Sequence, residues 1–148
     1  MRERKARLVE GFRGVLRARL AAVSAELDAL ERSGRFEGPV CPAVVEEHRS
    51  AVEQGILADG LRRRVEGLRE ALRGLILVDR DVVGPGALVR IEGAQTRWLL
   101  IVEGGEGDAV EGALVLSPAA PLALALRDLE EGDEVLFRGQ TEEITGVW

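Results

Sequence analysis

Apolar residues early in the chain fall at Leu16, Leu20, Val23, Leu27 and Leu30, in steps of 4, 3, 4 and 3. This is the spacing of a helical heptad seam. Val9 and Phe12 extend it upstream with a slight slip of phase. A second run, Leu61, Val65, Leu68, Leu72 and Leu75, repeats the same steps. Between the runs lies Ser33-Gly34-Arg35-Phe36-Glu37-Gly38-Pro39-Val40-Cys41-Pro42, whose glycines and prolines cannot continue a helix. Pro42 suits the first turn of a new one. Two seams joined by a short breaker fold back as an antiparallel α-helical coiled-coil hairpin, because each seam needs the other to leave water. A dimeric coiled coil is the alternative, and the central breaker favours self-pairing. The first helix, about 28 residues, would run roughly 42 Å, so one end of the hairpin is expected to project as a rod. Backward from Leu61 the seam weakens through Ala58, Gln54, Ala51, Glu47 and Val44. The loop end should therefore be looser than the base.

Beyond Asp79 the pattern changes to short β-prone runs between turn signals: Ala87–Glu92, Arg97–Glu103, Gly112–Ser117, Glu134–Arg138 and Glu142–Val147. Gly93, the run Gly104-Gly105-Glu106-Gly107, Gly132-Asp133 and Gly139-Gln140 supply turns. Pro121–Arg127, rich in Leu and Ala, reads as a short helix. Trp98 and Phe137 are expected in the core. The fold class is thus α+β: a coiled-coil hairpin over residues 1–79, with its tip at about 34–43, and an antiparallel β-sheet domain with one short helix over 80–148.

Charge marks the same division. Residues 1–79 hold 15 Lys+Arg against 13 Asp+Glu, a net +2, whereas residues 80–148 hold 5 against 13, a net −8. One Cys and one His exclude an internal disulfide and any metal site built from several of either. Three Phe, two Trp and no Tyr argue against a base-stacking surface, and the acidic second half argues against independent binding to DNA or RNA. No apolar run is long enough for a membrane helix. The N-terminal segment, charged from Arg2 onward, lacks the apolar core of a secretory signal, so a cytoplasmic protein is expected.

One stretch carries a family resemblance. Leu116-Ser117-Pro118-Ala119-Ala120-Pro121-Leu122-Ala123-Leu124-Ala125-Leu126 follows, without a gap, an I-S-x-x-S-P-L-G-x-A-L pattern, with Ala120 for the second serine and Ala123 for the glycine. Gly132-Asp133-Glu134-Val135 falls at a G-D-x-V, and Ile101-Val102 with Glu106 and Asp108 at an I-V-G-x-x-E-A-D. With the hairpin in front, the chain resembles the Gre transcript-cleavage factors. The resemblance covers nearly the whole chain in architecture, and residues 97–135 at the level of sequence. It implies an FKBP-like second domain without prolyl isomerase activity. That domain would dock on the rim of the secondary channel of bacterial RNA polymerase, on the β′ subunit, through Ser117, Ala119, Ala120, Pro121 and Leu122. The hairpin would carry its tip toward the catalytic Mg²⁺. A plain strand-to-helix turn, with Pro at a helix start, is the other explanation of Ala119–Leu122.

Cleavage factors of this family carry an acidic pair at the tip, in a G-D-x-x-E-N type motif, to help hold the polymerase's weaker metal and orient the attacking water. Matched from Leu68–Asp79 backward, Val44 falls on the aspartate, Glu47 on the glutamate and His48 on the asparagine. Glu37 and Glu46 are nearby but off the motif. One carboxylate of two is present, which favours the non-cleaving homologues that inhibit or pause the polymerase. A blunt apolar tip of Phe36, Val40, Val44 and Val45 could act by obstruction. Acidic residues at a helix start are also favoured by the helix dipole alone. Cys41 reads as a redox switch or an incidental thiol, and His48 as a helix-surface residue rather than a ligand. The arginines near the base of the hairpin, Arg62, Arg63, Arg64, Arg69 and Arg73, either touch an acidic surface or pair with Glu66, Glu70 and Glu10.

The expected protein is a monomeric polymerase-channel regulator, not itself an enzyme. It has no cofactor of its own, beyond contact with polymerase-bound Mg²⁺. A true cleavage factor and an interaction scaffold unrelated to transcription are the alternatives.

Overall fold

The computed structural model describes residues 1–33 and 44–148, with residues 44–49 described as backbone alone. The chain order is α1 (Arg2–Ser33), α2 (Val44–Gly74), β1 (Leu88–Glu92), β2 (Thr96–Ile101), β3 (Glu106–Val110), β4 (Ala113–Leu116), α3 (Pro121–Leu126), β5 (Glu134–Phe137) and β6 (Gln140–Val147). The chain's contacts group it into two compact units. One joins Met1–Leu16 to Ala71–Trp148, and the other is Arg17–Glu70.

In Arg17–Glu70 the helices run antiparallel. Arg62 Nη2 on α2 meets Glu31 Oε1, near the end of α1, at 2.7 Å. Val23, Ala58 and Val65 are buried along the seam, and Leu20, Leu27, Leu30, Leu61 and Leu68 are half-buried. The expected loosening toward the loop is present. Ala51 and Gln54 are exposed, as are the larger Val52, Ile56 and Leu57.

In the other unit the six strands form one sheet in the order β3-β4-β2-β1-β6-β5. Four pairings are antiparallel, but β2 and β4 run parallel. The sheet is therefore mixed where the sequence suggested a purely antiparallel one. The cause is β3, of which the sequence marks Glu106-Gly107 as part of a turn and predicts no strand. Its residues Glu106-Gly107-Asp108-Ala109-Val110 have low β-propensity. They pair because the Glu111-Gly112 turn, with both residues at positive φ, folds them back on β4. Register shifts between Glu106 and Asp108, a bulge that absorbs Gly107 at positive φ. β4 then lies between β3 and β2.

Alternation along the strands gives the sheet two buried faces. Val89, Ile91, Leu99, Ile101, Leu116, Val135, Ile144 and Val147 form one core with Leu122, Ala123 and Leu126 of α3. Phe137 packs at its edge. Arg97 and Glu142 close one end of this core through a two-pronged ion pair, with Nη2 to Oε1 at 2.6 Å. The opposite face carries Leu88, Leu100, Ala113 and Val115, all buried. The first four turns of α1 cover it with Leu8, Val9, Phe12 and Leu16. Contact is close: a Cβ on Gly11 would come within 2.8 Å of Val110 Cγ1, and one on Gly104 within 3.2 Å of Leu16 Cδ2. Trp98 stands on this face, half-buried.

Candidate functional site

The segment with the family pattern joins β4 to α3. Ala120 N donates to Ser117 O at 2.9 Å, which closes a turn, and Ala119 N donates to Ser117 Oγ at 3.2 Å. Pro121 opens α3, where its missing N–H is no loss. Ala120 is the N-cap and has no side-chain acceptor for the helix's first amides. Ala119 and Pro121 are exposed, Ser117 and Ala120 are half-buried, and Leu122 lies inside the core with Ala123 and Leu126. The surface a partner could touch here is the Ala119–Pro121 turn with the outer face of α3, Leu124 and Ala125. Leu122 positions that turn from beneath.

The tip candidates fare differently. Phe36, Glu37, Val40 and Cys41 lie outside the described residues. Val44, Glu46 and Glu47 occupy the first turn of α2, and His48 follows one residue later. Their side chains are outside the description. A cavity of about 450 Å³ opens just past this turn, between Leu30 and Glu31 of α1 and Ala51, Gly55, Ala58 and Arg62 of α2. The Arg62 guanidinium is held charged beyond its ordinary range by hydrogen bonds to Glu31 first and Asp59 second. That draws these basic and acidic side chains into local pairs. Arg69 likewise pairs with Glu66. Among the described residues, no group of three or more His, Cys, Asp and Glu is placed to hold a metal ion. Among the same residues, no helix is long and apolar enough to cross a membrane.

One cluster escaped the sequence reading. Lys5 is fully buried, and its Nζ donates to the carbonyls of Val78 and, at 2.6 Å, Trp148. Arg4 lies over the Trp98 ring at 4.1 Å, and Trp98 stacks on Trp148 at 5.6 Å between centroids. A signal was available: Lys5 continues the apolar stripe of Val9, Phe12 and Leu16 one step upstream.

No family model matches the chain, and no curated protein matches it in sequence. Among solved structures it is similar to the GreA factor homolog 1 (Gfh1) protein of Thermus thermophilus, at 16% identity over 99% of this chain and 94% of that one, with a TM-score of 0.39. Gfh1 of Thermus aquaticus is similar at 16% identity over 93% of each chain, also with a TM-score of 0.39. A GreA/GreB transcription elongation factor from Nitrosomonas europaea is similar at 26% identity over 47% of this chain and 63% of that one, with a TM-score of 0.37.

Proposed function

We propose that this protein regulates transcription elongation by binding bacterial RNA polymerase at the secondary channel, without efficient transcript cleavage. The observation that carries this reading is the Leu116–Leu126 segment. Its residues follow the docking pattern of the Gre factors in order and spacing, and it folds into an exposed turn followed by a short helix. An antiparallel helical pair precedes it, as that family requires. Ser117, Ala119, Ala120 and Pro121 would meet the channel rim on β′, with Leu122 holding the turn in shape. Val44, Glu46 and Glu47, in the first turn of α2, together with Glu37, would come nearest the active site. Val44 stands where a cleavage factor carries its metal-binding aspartate. The tip would therefore touch the polymerase's Mg²⁺ surroundings without recruiting the second ion well. The protein acts in the cytoplasm, as a monomer, and contributes no catalytic residue of its own.

The test has two parts. Intact protein should co-purify with core polymerase and slow elongation, and Ala119→Arg on the exposed turn should abolish both. In stalled complexes it should release no short 3′ RNA fragments. Fragment release would establish the cleavage-factor reading instead, and absence of any polymerase binding would leave only a scaffold.

A further inference from the structure

The Lys5 ammonium joins three pieces of chain that are remote in sequence: α1, the connector after α2 at Val78, and the end of β6 at Trp148. Trp148 is itself committed, since its N–H and carbonyl pair with Leu88 at 2.9 Å each and close the β1/β6 ladder. One residue earlier in α1, Arg4 covers Trp98, which stacks on Trp148. Among the described residues, the Asp79 carboxylate favours the Lys5 charge and also lies 3.8 Å from Arg2, and Arg80 opposes it. Burying an amine costs desolvation, which its two main-chain hydrogen bonds offset only in part, so Lys5 adds little stability over an apolar side chain of the same size. What it adds is direction. Leu8, Val9, Phe12 and Leu16 meet Leu88, Leu100, Ala113 and Val115 through contacts that are not directional, and an apolar stripe can settle on such a face in more than one register. A hydrogen-bonded amine cannot, because its two acceptors are fixed by the connector and by the β1/β6 ladder.

We propose that Lys5 is a polar lock that fixes a single register and rotation of the first four turns of α1 on the sheet, and that ties the 75–79 connector to them. The proposal is independent of the polymerase reading. Its test is hydrogen exchange, followed by mass spectrometry on the full chain, comparing wild type with Lys5→Met. The thermal midpoint should stay level or rise. Exchange in peptides covering residues 2–16 and 75–79, and at the Leu88 and Trp148 amides, should speed up about tenfold or more, while β2 and β4 stay protected. An equal acceleration in every peptide would mean that Lys5 merely adds stability, and unchanged exchange would mean that it only fills space. Either result overturns the proposal. Should Lys5→Met fail to fold, Lys5→Gln, a shorter and uncharged donor, takes its place. It should show the same local pattern at smaller amplitude, and wild-type or uniform exchange there counts against the lock equally.

Discussion

Burial changes the chemistry of Lys5 as well as its geometry. Removal from water pushes its pKa down to about 8, against a partial lift from the Asp79 carboxylate and a further push from Arg80. In the unfolded chain the amine titrates near its ordinary value of 10.5. Between about pH 8 and 10.5 the unfolded chain therefore binds more protons than the folded one, and stability rises with pH across that window. Below about 8 both states are protonated and the desolvation cost is present in full. The composition makes this readable. The chain has no Tyr, and Lys5 is its single lysine. The urea midpoint of the wild type, taken relative to Lys5→Met at each pH, should climb from pH 8 to 10.5. Parallel profiles would show that Lys5 titrates as if exposed. The residue was legible to the extent that a lysine in phase with Phe12 and Leu16 is anomalous on a buried stripe. Its acceptors were not, because both are main-chain carbonyls more than 70 residues away in sequence.

Elements follow local chemistry where it is strong. The heptad steps placed α1 and α2, and Pro121 placed the start of α3. β1, β2, β4, β5 and β6 fall within or within two residues of the runs read from β-propensity. β3 was missed because its pairing is imposed by a turn and a neighbour, not by its own side chains. The slip of phase in α1 also has an outcome. Phe12, Leu16 and Leu20 are spaced 4 and 4, which advances the apolar stripe by about 40° at each step and about 80° in all, and the boundary between the two compact units falls at Leu16/Arg17. At α3 the sequence leaves a gap. Ala120 occupies an N-cap with extended backbone and no side-chain acceptor. Ala120→Ser should supply one and raise stability by about 1 kcal/mol. Chemical denaturation would measure this, and an unchanged midpoint would show that the α3 amides are already satisfied.

At the scale of the molecule, the first 16 residues belong with the sheet although residues 17–87 separate them from its first strand in sequence. Deleting residues 80–148 would uncover Leu8 and Phe12, so a truncation cannot separate docking from folding. Replacing residues 35–47 by a neutral turn leaves both buried faces of the sheet untouched. In the proposed role that variant should still bind polymerase but lose its effect on elongation, measured as the rate of transcript extension. A variant that still slows the polymerase would place the activity outside the tip. The sequence by itself determined the helical pair, the change to β structure after residue 79, most strands and the turn before α3. Each rests on periodicity or on the backbone preferences of Gly and Pro, which act over a few residues. Only the tertiary structure decided that β4 inserts beside β2 in parallel, that Leu122 is buried beneath its turn, and that one end of α1 seals the second face of the sheet around a lysine. Those outcomes depend on which distant surfaces lose water together, and no short window of sequence contains both partners.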